Sequence, residues 1–148
     1  MDKKQLGENY FKQGYNCAQS VVLAFVNEIG LDKDTAVKFI SGFGGGFGRM
    51  REVCGAVSGM VAVLSMVEGY TDAEDNATKM ELYKKIQTLM GEFKEINGSY
   101  ICRELLSLPE GNSSPVPEAR TTEYYKKRPC AELVGIACEI LENYFNVN

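Results

Sequence analysis

No histidine occurs anywhere in the 148 residues. That excludes Cys₂His₂ zinc, histidine-ligated haem, and the Ser–His and Cys–His nucleophile pairs. No Cys-x-x-Cys occurs either, which excludes a thioredoxin-like pair and a standard zinc ribbon. Any cysteine-based metal site in this chain is therefore all-sulfur, or sulfur with carboxylate. Segments of strand-like alternation are missing, and no apolar segment has the length of a membrane span. The uncharged stretch Val53 to Val67 suits a buried core helix instead. An excess of positive charge is also missing. A net charge of −4 is a poor electrostatic match for nucleic acid or an anionic membrane, so neither is expected as a partner. The first residues, Met1-Asp2-Lys3-Lys4-Gln5, carry no apolar signal region, which leads to a cytoplasmic expectation. Permanent structural disulfides are not expected in a reducing compartment.

What remains is a strongly helical pattern with five cysteines. A short polar helix is expected over Lys3 to Lys12. A second runs from Asn16, a good N-cap, to Ile29, where Gly30 ends it. Asp32 or Asp34 opens a third, with Ala36, Val37, Phe39 and Ile40 as its apolar positions. The glycine run Gly42-Phe43-Gly44-Gly45-Gly46-Phe47-Gly48 breaks it. The fourth helix, Val53 to Glu68, is apolar all round and is expected at the centre. Its small residues Gly55, Ser58, Gly59 and Ala62 form a stripe that lets another helix, or a bound group, approach closely. A long fifth helix is capped by Asp72 or Asp75 and carries Leu82, Ile86, Leu89, Phe93 and Ile96 in 4-3-4-3 spacing. Ser99 caps a short sixth helix, Tyr100 to Leu106. Ser107 to Tyr125, with three of the four prolines, reads as a long irregular connection that is able to cover a site. The last helix begins at Pro129. The expected fold is a single all-α domain, residues 1–148, of about six or seven helices around the Val53–Val67 helix.

Four of the five cysteines, Cys17, Cys54, Cys102 and Cys130, stand just inside the expected starts of four different helices. Sulfur in a first turn feels the positive end of the backbone dipole and unpaired N–H groups, and both favour the thiolate. A basic residue is near each in sequence: Lys12 for Cys17, Arg49 and Arg51 for Cys54, Arg103 for Cys102, and Lys126, Lys127 and Arg128 for Cys130. Nearby cations lower a thiol pKa further. Cys138 differs. Eight residues of helix place it roughly 12 Å along the axis from Cys130, too far for a disulfide, and it falls on an apolar stripe. It reads as core packing.

The glycine run fits neither a dinucleotide fingerprint, because Phe47 and Arg49 stand where glycines are needed, nor a phosphate loop, because no Gly-Lys-Ser/Thr follows. It is either a tight interhelical turn or a place where backbone N–H groups approach an anion or a sulfur cluster. In the second case Gly44, Gly45, Gly46 and Arg49 are the residues expected to bind it.

Cys54-Gly55-Ala56-Val57-Ser58-Gly59 matches the pattern C-G-A-x-x-G. With Gly14-Tyr15-Asn16-Cys17, Gly48-Arg49, Asn97-Gly98-Ser99 before Cys102-Arg103-Glu104-Leu105-Leu106, and Cys130 with Leu133-Val134, the chain resembles the C_GCAxxG_C_C family over nearly its whole length. The resemblance implies redox chemistry by Cys17, Cys54, Cys102 and Cys130, and leaves Cys138 outside the pattern. It also implies kinship with part of certain cytochrome-like proteins associated with iron–sulfur centres. Three readings follow. The first is thiol/disulfide chemistry, with Cys54 expected as the attacking sulfur and a redox protein or small thiol as partner. The second is a Cys₄ site on the same four residues, holding an iron–sulfur cluster or a metal. The third is a helical binding module whose cysteines only pack.

Overall fold

The computed structural model describes residues 1–111 and 113–147. The fold is all-α: among the described residues there is no strand, and the one sheet-type pairing is an isolated antiparallel bridge between Val53 and Ile101. In chain order the helices are α1 (Lys3–Lys12), α2 (Cys17–Ala24), α3 (Val26–Ile29), α4 (Lys33–Phe39), α5 (Gly44–Phe47), α6 (Gly55–Glu68), α7 (Asn76–Asn97), α8 (Cys102–Leu105), α9 (Thr122–Lys127) and α10 (Cys130–Val147). A 3₁₀ turn, Ser41–Phe43, leads into α5.

The starts of α1, α2, α4, α7 and α9 are capped by side chains, whereas those of α3, α5, α6 and α8 are not. Asp2 and Gln5 form a reciprocal capping box on α1, and Asn16 and Gln19 form one on α2. In the second, the Gln19 N–H donates to the Asn16 side chain at 2.9 Å and the Asn16 N–H donates back to Gln19 at 3.0 Å. Asn16 therefore holds Cys17 at the first position of α2. The expected second helix is interrupted at Phe25, which leaves helical geometry, and its remainder is the single turn α3, closed by Gly30 in the left-handed region.

The helix α6 is central, as its composition implies. It packs on α2, α10, α7 and the short α3 and α5. Ala56, Val57, Met60, Val63 and Leu64 are buried. The apolar surround ends early: Met66 and Val67, in the last turn, are exposed. Gly55 and Gly59 meet α2. A Cβ on Gly59 would stand 2.8 Å from the Ala18 carbonyl and 2.9 Å from Val21 Cβ, and one on Gly55 would stand 3.1 Å from Cys17 Cβ. The small stripe thus serves helix–helix approach, and it brings the starts of α2 and α6 together. On α7, Leu82, Leu89 and Phe93 are buried, whereas Ile96 at the end of the stripe is exposed.

The glycine run is a left-handed turn. Gly45, Gly46, Phe47, Gly48 and Arg49 all have φ between 58° and 68°. Left-handed backbone is nearly free for glycine and disfavoured for Phe and Arg, which explains the glycine content. The N–H groups of Gly48, Arg49, Arg51 and Glu52 bond back to carbonyls of residues 42 to 46. Gly46 packs against the backbone of Arg51 and Glu52, where a Cβ would come within 2.6 Å.

A candidate active site of four cysteines under an arginine-pinned roof

All four helix-start cysteines line one cavity of about 270 Å³. Each arrives by a separate local device. Cys17 is the first residue of α2, behind its Asn16 cap. Cys54 stands at the N-cap position of α6. Cys102 opens α8, and Cys130 opens α10 after Pro129. The Val53–Ile101 bridge ties the second and third together: the Cys54 N–H donates to the Tyr100 carbonyl at 2.8 Å and the Cys102 N–H donates to the Glu52 carbonyl at 2.6 Å. Sequence reasoning missed this bridge, because two residues pairing across a gap of nearly fifty leave no periodicity to read.

The sulfurs are chemically unequal. All five cysteines are free thiols. Cys17 and Cys130 lie near enough in the cavity for their thiols to interact, and the interaction favours charge on Cys130, whose pKa is held below the ordinary thiol value. The arginines Arg128, Arg120 and Arg51 act in the same direction, and burial opposes them. Cys17 is the proton holder of the pair: the interaction with Cys130, then burial, raise it well above the ordinary value. Cys54 is buried, and desolvation pushes it up to about 12, which the N–H groups of Ala56 and Val57 offset only in part. Cys102 is raised by burial against the pull of Arg51, whose Nη1 lies 3.7 Å from its sulfur.

The cations expected beside each cysteine are therefore redistributed. Arg51 serves Cys102 rather than Cys54. Arg103 turns away to the carbonyls of Met50 and Pro109. Lys12 does not line the cavity, whereas Arg128 does. Arg120, which sequence reasoning passed over, also lines it. It donates to the carbonyls of Phe11 and Tyr15 at 2.9 Å each, and its guanidinium lies 4.1 Å above the Phe11 ring.

The segment expected to cover the site does so. Pro115, Pro117 and Glu118 form part of the lining, and the arginines pin the segment down. Arg49 Nε donates to the Ser114 carbonyl at 2.8 Å, and Arg51 Nε donates to Ser113 Oγ at 3.1 Å. Arg128 pairs with Glu118 at 3.3 Å, which holds the Glu118 carboxyl below its usual range against a desolvation penalty. The segment also ends in an unforeseen helix, α9, capped by Thr121. Of the residues expected to bind a cofactor, Gly44, Gly45 and Arg49 line the cavity, and Gly46 does not. Cys138 lies elsewhere, fully buried against Gly7 between α1 and α10, and burial pushes it up to about 12.

The donor set has the type and number that a sulfur-ligated cluster requires, and the cationic wall suits its negative charge. Among the described residues, however, no three or more Cys, Asp or Glu side chains are grouped tightly enough to hold a metal ion.

Thus the fold and site define a helical bundle with a buried, cation-lined thiol cavity. The family described as "Putative redox-active protein (C_GCAxxG_C_C)" matches residues 15–144, and the chain belongs to it. An uncharacterized protein of Archaeoglobus fulgidus is 27% identical over 132 residues, which is 84% of this chain and 81% of that protein. No solved structure matches the chain. No helix among the described residues is long and apolar enough to cross a membrane.

Proposed function

We propose that this is a thiol/disulfide redox protein in which Cys130 is the attacking sulfur and Cys17 the resolving one. The observation that carries the reading is their pairing across the cavity: one sulfur is favoured as thiolate, and its neighbour holds a proton against it. This replaces Cys54 as the nucleophile, because Cys54 is buried and its burial holds it protonated. In the proposed reaction the Cys130 thiolate attacks a substrate disulfide. A mixed disulfide forms and one substrate thiolate departs, taking up a proton. The Cys17 thiol then gives up its proton as its sulfur attacks the Cys130 sulfur, and the second substrate thiolate leaves and takes up that proton. Two electrons pass to the substrate, and the protein is left with a Cys17–Cys130 disulfide.

Titration of the reduced protein with a small disulfide tests this. Two thiols per chain should disappear in wild type. Cys17→Ser should accumulate the mixed disulfide on Cys130, and Cys130→Ser should stop the reaction. Loss of no thiols in wild type would overturn the reading.

A second reading starts from the count of four sulfurs around one cavity: Cys17, Cys54, Cys102 and Cys130 as ligands of an iron–sulfur cluster serving electron transfer or sensing, which requires the sulfurs to draw closer together than they stand here. Anaerobic purification distinguishes the two. A brown protein carrying iron and sulfide supports the cluster. A colourless one with a titratable disulfide supports thiol exchange.

A further inference from the structure

The wall of the cavity is the least expected part of the molecule. The chain carries a net charge of −4, yet among the described residues four arginines line this cavity and Glu118 is the one acidic residue lining it. Much of that positive charge is already committed to structure. Arg120 is fixed to the carbonyls of Phe11 and Tyr15, and Arg128 is paired with Glu118. Two guanidiniums retain capacity. Arg49 uses only its Nε, and among the described residues its two amino groups have no hydrogen-bond partner. Arg51, which also lines the cavity, is only 7% exposed and uses Nε and Nη1, and among the described residues its Nη2 has no hydrogen-bond partner. Arginine amino groups in the wall of a partly dry cavity are receptors for carboxylate or similar anions.

The roof restricts size. Cys54, Cys102 and Cys130 are each no more than 8% exposed. They lie under a segment tied down from below by Arg49, Arg51 and Arg128. A disulfide embedded in a folded protein reaches Cys130 only if those ties are released, whereas a small molecule fits within about 270 Å³.

Building on the Cys17–Cys130 reading, we propose that the substrate is a small disulfide carrying carboxylate groups, with Arg49 and Arg51 receiving the carboxylate while Cys130 meets the sulfur. Specificity then resides in charge and size, with the arginines acting as binding residues rather than as parts of the bond exchange.

The test uses three disulfides of similar size in single turnover with the reduced protein: 3,3′-dithiodipropionate (dianion), bis(2-hydroxyethyl) disulfide (neutral) and cystamine (dication). Each rate is divided by the rate of the same disulfide with free 2-mercaptoethanol. The normalised rate should be at least tenfold higher for the dianion than for the neutral compound, and lowest for the dication. Arg49→Gln should reduce the dianion-to-neutral ratio at least fivefold, and Lys84→Gln on the far exposed face of α7 should leave it unchanged. Equal normalised rates for all three would overturn the proposal. Adipate, a dicarboxylate with no disulfide, separates the two claims by calorimetry. Saturable adipate binding that Arg49→Gln removes supports the anion site even if no disulfide reacts, in which case the redox reading alone fails. Disulfide exchange without charge preference, together with no adipate binding, leaves the redox reading standing and overturns this one.

Discussion

Cys130 and Cys138 share a helix, a residue type and near-complete burial, yet they are chemically opposite. Cys138 is wedged between α1 and α10 against Gly7, and desolvation raises it to about 12. Cys130, two turns earlier, lies near the Cys17 thiol and three arginines, and its pKa is lowered. The comparison shows that burial alone does not decide whether a thiol is inert. A buried thiol surrounded by aliphatic packing keeps its proton. A buried thiol at a helix start, with a donor and cations across a small cavity, loses it more readily.

The largest expected effect breaks the comparison outright if absent. Alkylation with iodoacetamide at pH 7, read peptide by peptide, should label Cys130 at least about a thousandfold faster than Cys138. A thiol titrating near 12 is thiolate to the extent of about one part in 10⁵ at that pH. The pH dependence has a definite sign. Labelling of Cys138 should climb about tenfold per unit across pH 7 to 9, and that of Cys130 should climb less steeply and level off at a lower pH than that of Cys138, because its pKa is lowered. Next in size, Cys130→Ser should slow disulfide exchange by about a hundredfold or more, and Cys138→Ser should leave it within about twofold.

The geometry behind the pair can also be disturbed. Gly59→Ala should destabilise the protein by about 1–3 kcal/mol in denaturant melts, because its Cβ meets the α2 backbone at Ala18. Disulfide formation should slow in parallel, since α2 carries Cys17. Gly91→Ala, on an exposed face of α7 with open space around it, should instead stabilise by about 0.5–1 kcal/mol. The smallest effect concerns charge. Arg128→Gln should raise the labelling midpoint of Cys130 by about one pH unit or less, because Arg120 and Arg51 remain.

Much of the local structure was legible in the sequence, and little of the pairing was. The all-α class, the central α6, the cap at Asn16, and the position of four of the five cysteines at helix starts follow from short-range rules. The cap expected from Ser99 does not form: Ile101 holds the N-cap position of α8, and Ser99 Oγ instead accepts the Ile101 N–H ahead of the helix. The covering role of the proline-rich segment followed from its length and its place between Cys102 and Cys130. What was not legible is non-local. The Val53–Ile101 bridge, the pairing of Cys17 with Cys130 and the passing of Arg51 from Cys54 to Cys102 join residues far apart in the chain. Arg120 was invisible for the same reason, since its partners lie in and just after α1. The left-handed turn was half legible. Glycines marked the place, but Phe47 and Arg49 in left-handed geometry follow no propensity rule.

Peptide mapping after mild oxidation tests the proposed redox pair most directly. Reduced protein is treated with one equivalent of diamide, free thiols are blocked, and the digest is read by mass spectrometry. A Cys17–Cys130 disulfide within a single chain is the expected product, with Cys138 recovered as free thiol. A product joining Cys54 to Cys102 with Cys17 and Cys130 still free, or only disulfides between chains, would contradict it.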